Sequence, residues 1–273
     1  MPERPGRRFW KMSGSGNDFV FFDAMQEPAG DLATPGRIGS LCDRRTGIGA
    51  DGVVFLEPHP VHAFSMRYFN RDGSLAEMCG NAALCSTRLS RELGITGEGE
   101  FRFETVSGPV TGRITSGSPE IDMVPVTELL ATFDTPLESN ETRIGYSRVG
   151  VPHLVILVPD VDKIDVDRRG RQLRWLPSLR NGANANFVSN DPRGRWRIRT
   201  FERGVEEETL ACGTGSVATA ALLTSWGLIR GRVALLTRSG RELVATVNQA
   251  PERGIPQLSG EGRIVFEGLL REV

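Results

Sequence analysis

The sequence predicts a strand-rich α+β protein built as two pseudo-symmetric halves. Three observations carry that reading. Short apolar runs bounded by glycine and proline recur along the chain, and long helical patterns are few. A Cys-Gly-polar motif also occurs twice, 133 residues apart, each time ahead of an Ala- and Leu-rich stretch.

The 32 glycines and 16 prolines punctuate apolar runs at 19–22, 52–56, 154–158, 198–201 and 233–236, which read as strands. Helical patterns are expected at 34–42, 82–93 and 216–226, with a short turn at 176–179. The 216–226 stretch has few charges on any face, so it should be buried, and a sheet wrapped around it is the simplest burial. The helix after Cys79 is more mixed. Ala82, Ala83, Cys85, Leu89 and Leu93 are apolar, Arg88, Arg91 and Glu92 suit solvent, and Gly94 is a natural stop. Aligning the cysteines sets Tyr68-Phe69-Asn70 beside Phe201-Glu202-Arg203, and Asn17-Asp18-Phe19-Val20 echoes Asn186-Phe187-Val188. The crossover between halves is placed near Asp122.

Composition excludes several function classes. With 39% hydrophobic residues the 273-residue chain can build two domains with cores. It holds no apolar run of about 18 residues, and its basic start, 1–11, lacks an apolar signal core, so a soluble cytoplasmic protein is expected. A net charge of −1 with scattered basic residues gives no footprint for nucleic acid or an anionic membrane. Arg193, Arg195, Arg197 and Arg199 alternate like the solvated face of a strand. Cys42, Cys79, Cys85 and Cys212 lack CxxC spacing and read as reduced thiols. His59 and His62 read as surface residues without a third ligand, so no metal site is expected. His153 heads a strand and stays open between a structural and a functional role.

Gly47-Ile48-Gly49-Ala50-Asp51-Gly52 matches the dinucleotide fingerprint letter for letter, but charged residues precede it and a strand-like run follows, so it reads as a tight turn. Cys79 and Cys212 each stand at the mouth of a helix, where unpaired amides lower a thiol's pKa and hold a carboxylate. Cys42 and Cys85 lack that setting and read as structural. Glu202 and Arg203 follow a strand and precede Cys212, and a guanidinium there suits bidentate capture of a carboxylate. Glutamates 206–208 read as a solvated turn, and Asn17, Asn70, Asn184 and Asn186, each beside glycine, aspartate or a strand, suit ordinary turn asparagines on local pattern alone. Two thiols on opposite faces of one bound carboxylate suggest proton exchange at the adjacent carbon and inversion of its stereocentre.

The segments 11–19, 47–52, 69–81, 182–187 and 202–215, in that order and spacing, resemble diaminopimelate epimerases. The resemblance implies two similar α/β halves, each a mixed sheet rolled around a central helix. Residues 1–121 with the C-terminal tail 260–273 would carry Cys79, and 122–259 would carry Cys212. It implies a cofactor-independent, cytoplasmic, homodimeric isomerase interconverting LL- and meso-diaminopimelate on the route to lysine and peptidoglycan precursors, with no metal. Cys79 and Cys212 match the catalytic cysteines. Asn17, Asn70, Asn184 and Arg203 match substrate contacts, and Gly80, Asn81, Gly213 and Thr214 match the carboxylate-binding steps. Glu202 and His153 match residues that position the reacting amino group. This chain departs from the usual pattern at Ala82, Leu84 and Val151. The alternative reading is a racemase of another amino acid, such as histidine, on the same scaffold. A pyridoxal-phosphate racemase needs a lysine, and Lys11 and Lys163 are the only lysines. A non-catalytic carboxylate-binding protein and a dinucleotide-binding oxidoreductase are the readings from other classes.

Overall fold

The computed structural model describes residues 6–76 and 78–271. Glu77, which opens the first cysteine motif, lies outside the described residues, as do 1–5 of the basic start and 272–273 of the C-terminal tail. The chain forms two compact units, one of residues 1–121 with 260–273 and one of residues 122–259.

The first unit runs β1 (Arg7–Gly14), β2 (Asn17–Asp23), α1 (Pro35–Cys42), β3 (Gly52–Glu57), β4 (Ser65–Asn70), α2 (Gly80–Glu92), β5 (Phe101–Thr105), β6 (Gly108–Thr115) and β7 (Ser118–Asp122). The second runs β8 (Val126–Leu130), β9 (Arg143–Val149), β10 (Val151–Leu157), α3 (Val166–Arg174), β11 (Asn184–Asn190), β12 (Trp196–Glu202), β13 (Glu207–Thr209), α4 (Gly213–Ser225), β14 (Arg232–Leu236), β15 (Glu242–Thr246) and β16 (Gln257–Gly260). The last strand, β17 (Arg263–Leu270), belongs to the first unit and pairs antiparallel with β1.

One pairing pattern is used in both units. In the first, β1–β2 is antiparallel, β2–β3 parallel, β3–β4 antiparallel, and after α2 come a parallel β4–β5 and an antiparallel β5–β6 pair. In the second, β9–β10, β10–β11 and β11–β12 repeat antiparallel, parallel, antiparallel, and after α4 come a parallel β12–β14 and an antiparallel β14–β15 pair. Each mixed sheet curls around its own helix. α2 packs against β1, β3, β4, β6 and β17, and α4 against β8, β9, β10, β11, β14 and β15. Burial of every residue of α4 from Gly215 to Thr224 explains why the sequence gives that helix no polar face.

Strand alternation then sorts side chains between two layers. On the second unit's outer face Leu154, Ile156, Ala185, Phe187 and Phe201 form a core with Val166 and Leu173 of α3. His153, Val155, Asn184, Asn186, Thr200 and Glu202 therefore share the opposite face, the one that carries α4. In the first unit Val20, Phe22, Val53, Phe55 and Phe69 pack with Ile38 and Leu41 of α1, which leaves Asn17 and Asn70 on the α2 side.

The expected strands form with ends shifted by one to three residues, and β10 starts three residues early and stops at Leu157, one short of the expected end. α2 and α4 begin two and three residues before the expected starts, because the cysteine itself is the N-cap. The 176–179 stretch is a turn, whereas α3 lies where the sequence reading expects no helix. Its apolar face is only Val166, Gly170 and Leu173, and Gly170 is needed because an added Cβ would overlap the Phe201 ring. Of the alternating arginines, Arg193 and Arg195 lie in the turn before β12. Arg197 and Arg199 are on it, half-buried and paired with Asp162 and Glu208 at 2.5 and 2.6 Å, so that face is not simply solvated.

α3 is pinned by Arg169, whose guanidinium holds Glu141 at 2.7 and 2.8 Å and Pro136 O at 2.9 Å, with the Glu141 side chain 1% exposed. Removing one partner of such a pair strands a buried charge. Arg169→Met is expected to cost about 3–5 kcal/mol in urea unfolding, and Arg169→Met/Glu141→Leu to recover most of it. A double variant no more stable than the single one would contradict this reading.

Candidate active site

Both cysteines are extended residues at the start of a helix, Cys79 at φ −138°, ψ 118° and Cys212 at φ −133°, ψ 114°. The first bonds inside the helices are Ala83 N–H to Cys79 O at 2.9 Å and Ser216 N–H to Cys212 O at 3.0 Å. The three amides before each of these have no acceptor within their helix, neither first turn carries an acidic residue, and neither cysteine side chain caps its helix. Each end therefore offers converging N–H groups and a positive dipole to an anion.

In the first unit, β4 ends at Asn70, opposite Gly52 at the start of β3, while β2 starts at Asn17. Residues from three strands thus collect at one sheet end. The Asn81 amide, 3% exposed, donates to Asn17 Oδ1 at 2.7 Å, and Asn17 Nδ2 donates to Asp51 Oδ2 at 3.2 Å. Arg44 grips both Asp18, at 3.0 and 2.7 Å, and Asp51, at 2.8 Å. Buried Lys11 donates to Asp18 at 2.6 Å and to the Gly49 carbonyl. Burial opposes ionisation of Asp18, but Arg44 and Lys11 together hold its carboxyl below the usual range. Asn70 lies in a tight turn, its Nδ2 on Ser74 Oγ at 3.0 Å, and Gly73 takes φ 83° there. The Gly47–Gly52 stretch follows α1 and enters β3, the reverse of the dinucleotide order, and Gly49 at φ 79° makes the turn.

The second unit repeats this arrangement. His153 of β10 stands opposite Asn184 at the start of β11, and Glu202 ends β12. Asn184 Oδ1 accepts the Arg203 N–H at 2.7 Å, and Thr214 Oγ1 lies 3.5 Å from Cys212 Sγ. His153 is fully buried. Burial first, and then the Arg203 charge, depress its pKa to about 3, so the ring is neutral near pH 7. Burial pushes the Glu202 carboxyl above the ordinary carboxylate range. Of the glutamates at 206–208, Glu206 and Glu208 are bracing residues, whereas Glu207 is exposed. Glu206, at φ 63°, accepts Gly204 N–H at 3.0 Å and Arg174 Nε at 2.9 Å, and Glu208 takes Arg199 at 2.7 and 2.6 Å. They hold the turn that carries Arg203.

Asn186 is the residue that sequence reasoning passed over as a possible turn asparagine. It is fully buried, and an added Cβ on Gly215 would overlap its Oδ1. The glycine after Cys-Gly-Thr was the available signal. Burial pushes the Cys42 thiol up to about 11 and the Cys85 thiol well above its usual value, as suits structural cysteines. His59 and His62 stack with centroids 4.9 Å apart, half-buried rather than on the open surface, and His62 lies 3.4 Å from Glu104. The described residues hold no cluster of His, Cys, Asp and Glu able to bind a metal ion.

The model of the family described as diaminopimelate epimerase matches residues 9–127 and 145–263, one stretch around each cysteine. The chain belongs to the diaminopimelate epimerase family. It is 46% identical to the diaminopimelate epimerase of Gemmatimonas aurantiaca, over 95% of this chain and 98% of that one. It is 36% identical to that of Aquifex aeolicus, over 97% and 98%. Among solved structures the fold is shared by a phenazine biosynthesis protein of the PhzF family from Bacillus anthracis (TM-score 0.73, 15% identity, 97% and 99% covered). It is shared too by a hydroxyproline epimerase from Agrobacterium vitis with bound trans-4-OH-L-proline (TM-score 0.64, 17% identity, 99% and 92% covered). Two departures from the family pattern sit comfortably here, since Ala82 and Leu84 are fully buried on α2, where an apolar side chain is at home.

The His153 pKa sets a stability prediction. The unfolded imidazole, near 6.5, binds a proton that the folded ring refuses until about pH 3, so its contribution is fully present above pH 6.5 and is lost as pH falls toward 3. Between those limits wild-type stability is expected to fall relative to His153→Gln by up to about 1.4 kcal/mol per pH unit. Urea unfolding from pH 7 to 4 measures it, and parallel curves for the two proteins would contradict the burial of an uncharged ring. Gly215→Ala is expected to lower the melting temperature by several degrees through overpacking against Asn186, and an unchanged melting temperature would show that the contact can relax.

Proposed function

We propose that this protein interconverts LL- and meso-diaminopimelate without a cofactor, with Cys79 and Cys212 as the exchanging acid and base. The observation that carries the reading is the pair of cysteine N-caps at the same point of one repeated strand order, in a chain 46% identical to a diaminopimelate epimerase. One cysteine belongs to each half, Cys79 to 1–121 with 260–273 and Cys212 to 122–259.

A thiolate takes the α-proton from one face of the carbon, and the electron pair left behind spreads into the carboxylate. The other thiol returns a proton to the opposite face, so the first cysteine ends protonated and the second as thiolate. Gly80 and Asn81, and Gly213 and Thr214, bring helix-end amides to the carboxylate, where they stabilise the enolate-like charge. The same amides draw a thiol's pKa down from about 8.5 toward neutrality. Asn17, Asn70, Asn184 and Arg203 bind the polar ends of the substrate, while Glu202 and His153 orient the reacting amino group. The resemblance to the family also supports a cytoplasmic homodimer, and no helix among the described residues is long and apolar enough to cross a membrane.

Incubation with LL-diaminopimelate and chiral separation of products tests the proposal, with L-histidine in parallel. The meso isomer should form. Cys79→Ala or Cys212→Ala should abolish it, and Cys42→Ala should leave it intact. Turnover of histidine alone would transfer the assignment to an amino-acid racemase and draw attention to Val151. Arg203→Ala should raise KM by roughly tenfold or more through the lost charged hydrogen bonds, and unchanged kinetics would make Arg203 a structural residue.

A further inference from the structure

Asn186 sits on β11 with no exposed surface, and each of its amide atoms is engaged. Nδ2 donates to the Leu154 carbonyl at 2.9 Å and lies 3.3 Å from His153 Nδ1, while Oδ1 accepts the Thr200 hydroxyl at 3.0 Å. A backbone carbonyl can only accept, so the Leu154 contact fixes which end of the amide is the NH2 group. Its second N–H then points to His153 Nδ1, and that nitrogen must present a lone pair. A neutral imidazole with a lone pair on Nδ1 carries its proton on Nε2. His153 Nε2 is itself buried and has no hydrogen-bond partner among the described residues. A buried donor left unmatched is costly, and this one, on the sheet face it shares with Asn184 and Glu202, awaits an acceptor.

We propose that Asn186 is a positioning residue that locks His153 as the neutral Nε2–H tautomer, making His153 a fixed hydrogen-bond donor to an acceptor atom of the substrate and not a base. The proposal deepens the role given to His153 above and rests on that reading for its substrate. A fixed N–H meets a carboxylate oxygen or an amine lone pair and repels an ammonium, so it selects the form of the ligand presented to it. The lock also reaches the second cysteine. Asn186 Oδ1 occupies the space a Cβ would need at Gly215, in the first turn of α4, and Thr200 holds that oxygen in place. The ring orientation and the start of the helix behind Cys212 are thus set by one amide.

The test is a long-range proton–nitrogen correlation spectrum of the full-length, reduced protein labelled with nitrogen-15 histidine, at pH 7, with His153 assigned by its loss in His153→Gln. The expected spectrum shows His153 with Nε2 as the N–H nitrogen and Nδ1 bare, and Asn186→Leu loses that single tautomer while the signals of His59 and His62 stay unchanged. A wild-type ring protonated on Nδ1, or charged, overturns the proposal, as does an unaltered His153 signal in Asn186→Leu. In turnover, His153→Gln keeps a donor and should retain about tenfold more activity than His153→Leu, the worth of one hydrogen bond. Equal losses overturn the donor role. An Nε2–H ring in a protein that epimerises neither diaminopimelate nor histidine would instead sink the proposed activity and leave the tautomer assignment standing.

Discussion

A helix with no polar face, wrapped on its sides by a sheet, can meet polar chemistry only at its ends. That constraint organises this molecule. α4 is buried from Gly215 to Thr224, and α2 is buried from Asn81 to Thr87 among strands of its own unit, with Arg88, Arg91 and Glu92 reaching solvent toward its far end. At the N-terminus of each, backbone amides remain without acceptors in the helix, and the residue at the turn is a cysteine in nearly the same extended conformation both times. The fold thus makes one kind of thiol-bearing corner at a helix N-terminus, and makes it twice.

The polar side chains near each corner follow from strand register. In each unit two parallel strands begin, and an antiparallel third ends, at one edge of the sheet, so Asn17 and Asn70, or His153, Asn184 and Glu202, come together without any long loop. What holds them differs between the units. The first uses charge, with Lys11 and Arg44 on Asp18 and Asp51 behind Asn17 and Asn81. The second uses a neutral amide, Asn186, and braces the Arg203 turn from outside with Arg174 and Glu206. Buried networks of this kind fix orientation because each member is costly to leave unmatched.

Much of this was legible in the sequence because the signals were chemical. The doubled Cys-Gly step marked the helix starts, the chargeless stretch after Cys212 marked the central helix, and glycine and proline marked the strand ends. α3 escaped because its buried face, at 166, 169, 170, 173 and 174, keeps helical spacing but includes two arginines and a glycine, so only Val166 and Leu173 mark it as apolar. Two apolar residues and a glycine seated on Phe201 suffice once Arg169 is paired with Glu141. The glutamate turn at 206–208 escaped because its partners, Arg174 and Arg199, are remote or sit on the neighbouring strand. Asn186 looked like any turn asparagine, since nothing local reveals that a buried carbonyl and an imidazole face it.

In the proposed reaction two different cysteines, one from each helix mouth, handle the α-proton. Labelling of substrate and product in heavy water tests it most directly. With LL-diaminopimelate as the starting isomer and only the first few per cent converted, the account predicts meso product carrying deuterium at the inverted carbon and remaining LL substrate still carrying hydrogen there, because the proton removed and the proton delivered belong to different groups. Product that keeps the original hydrogen would mean that one group carries it from face to face, and would contradict the two-cysteine account.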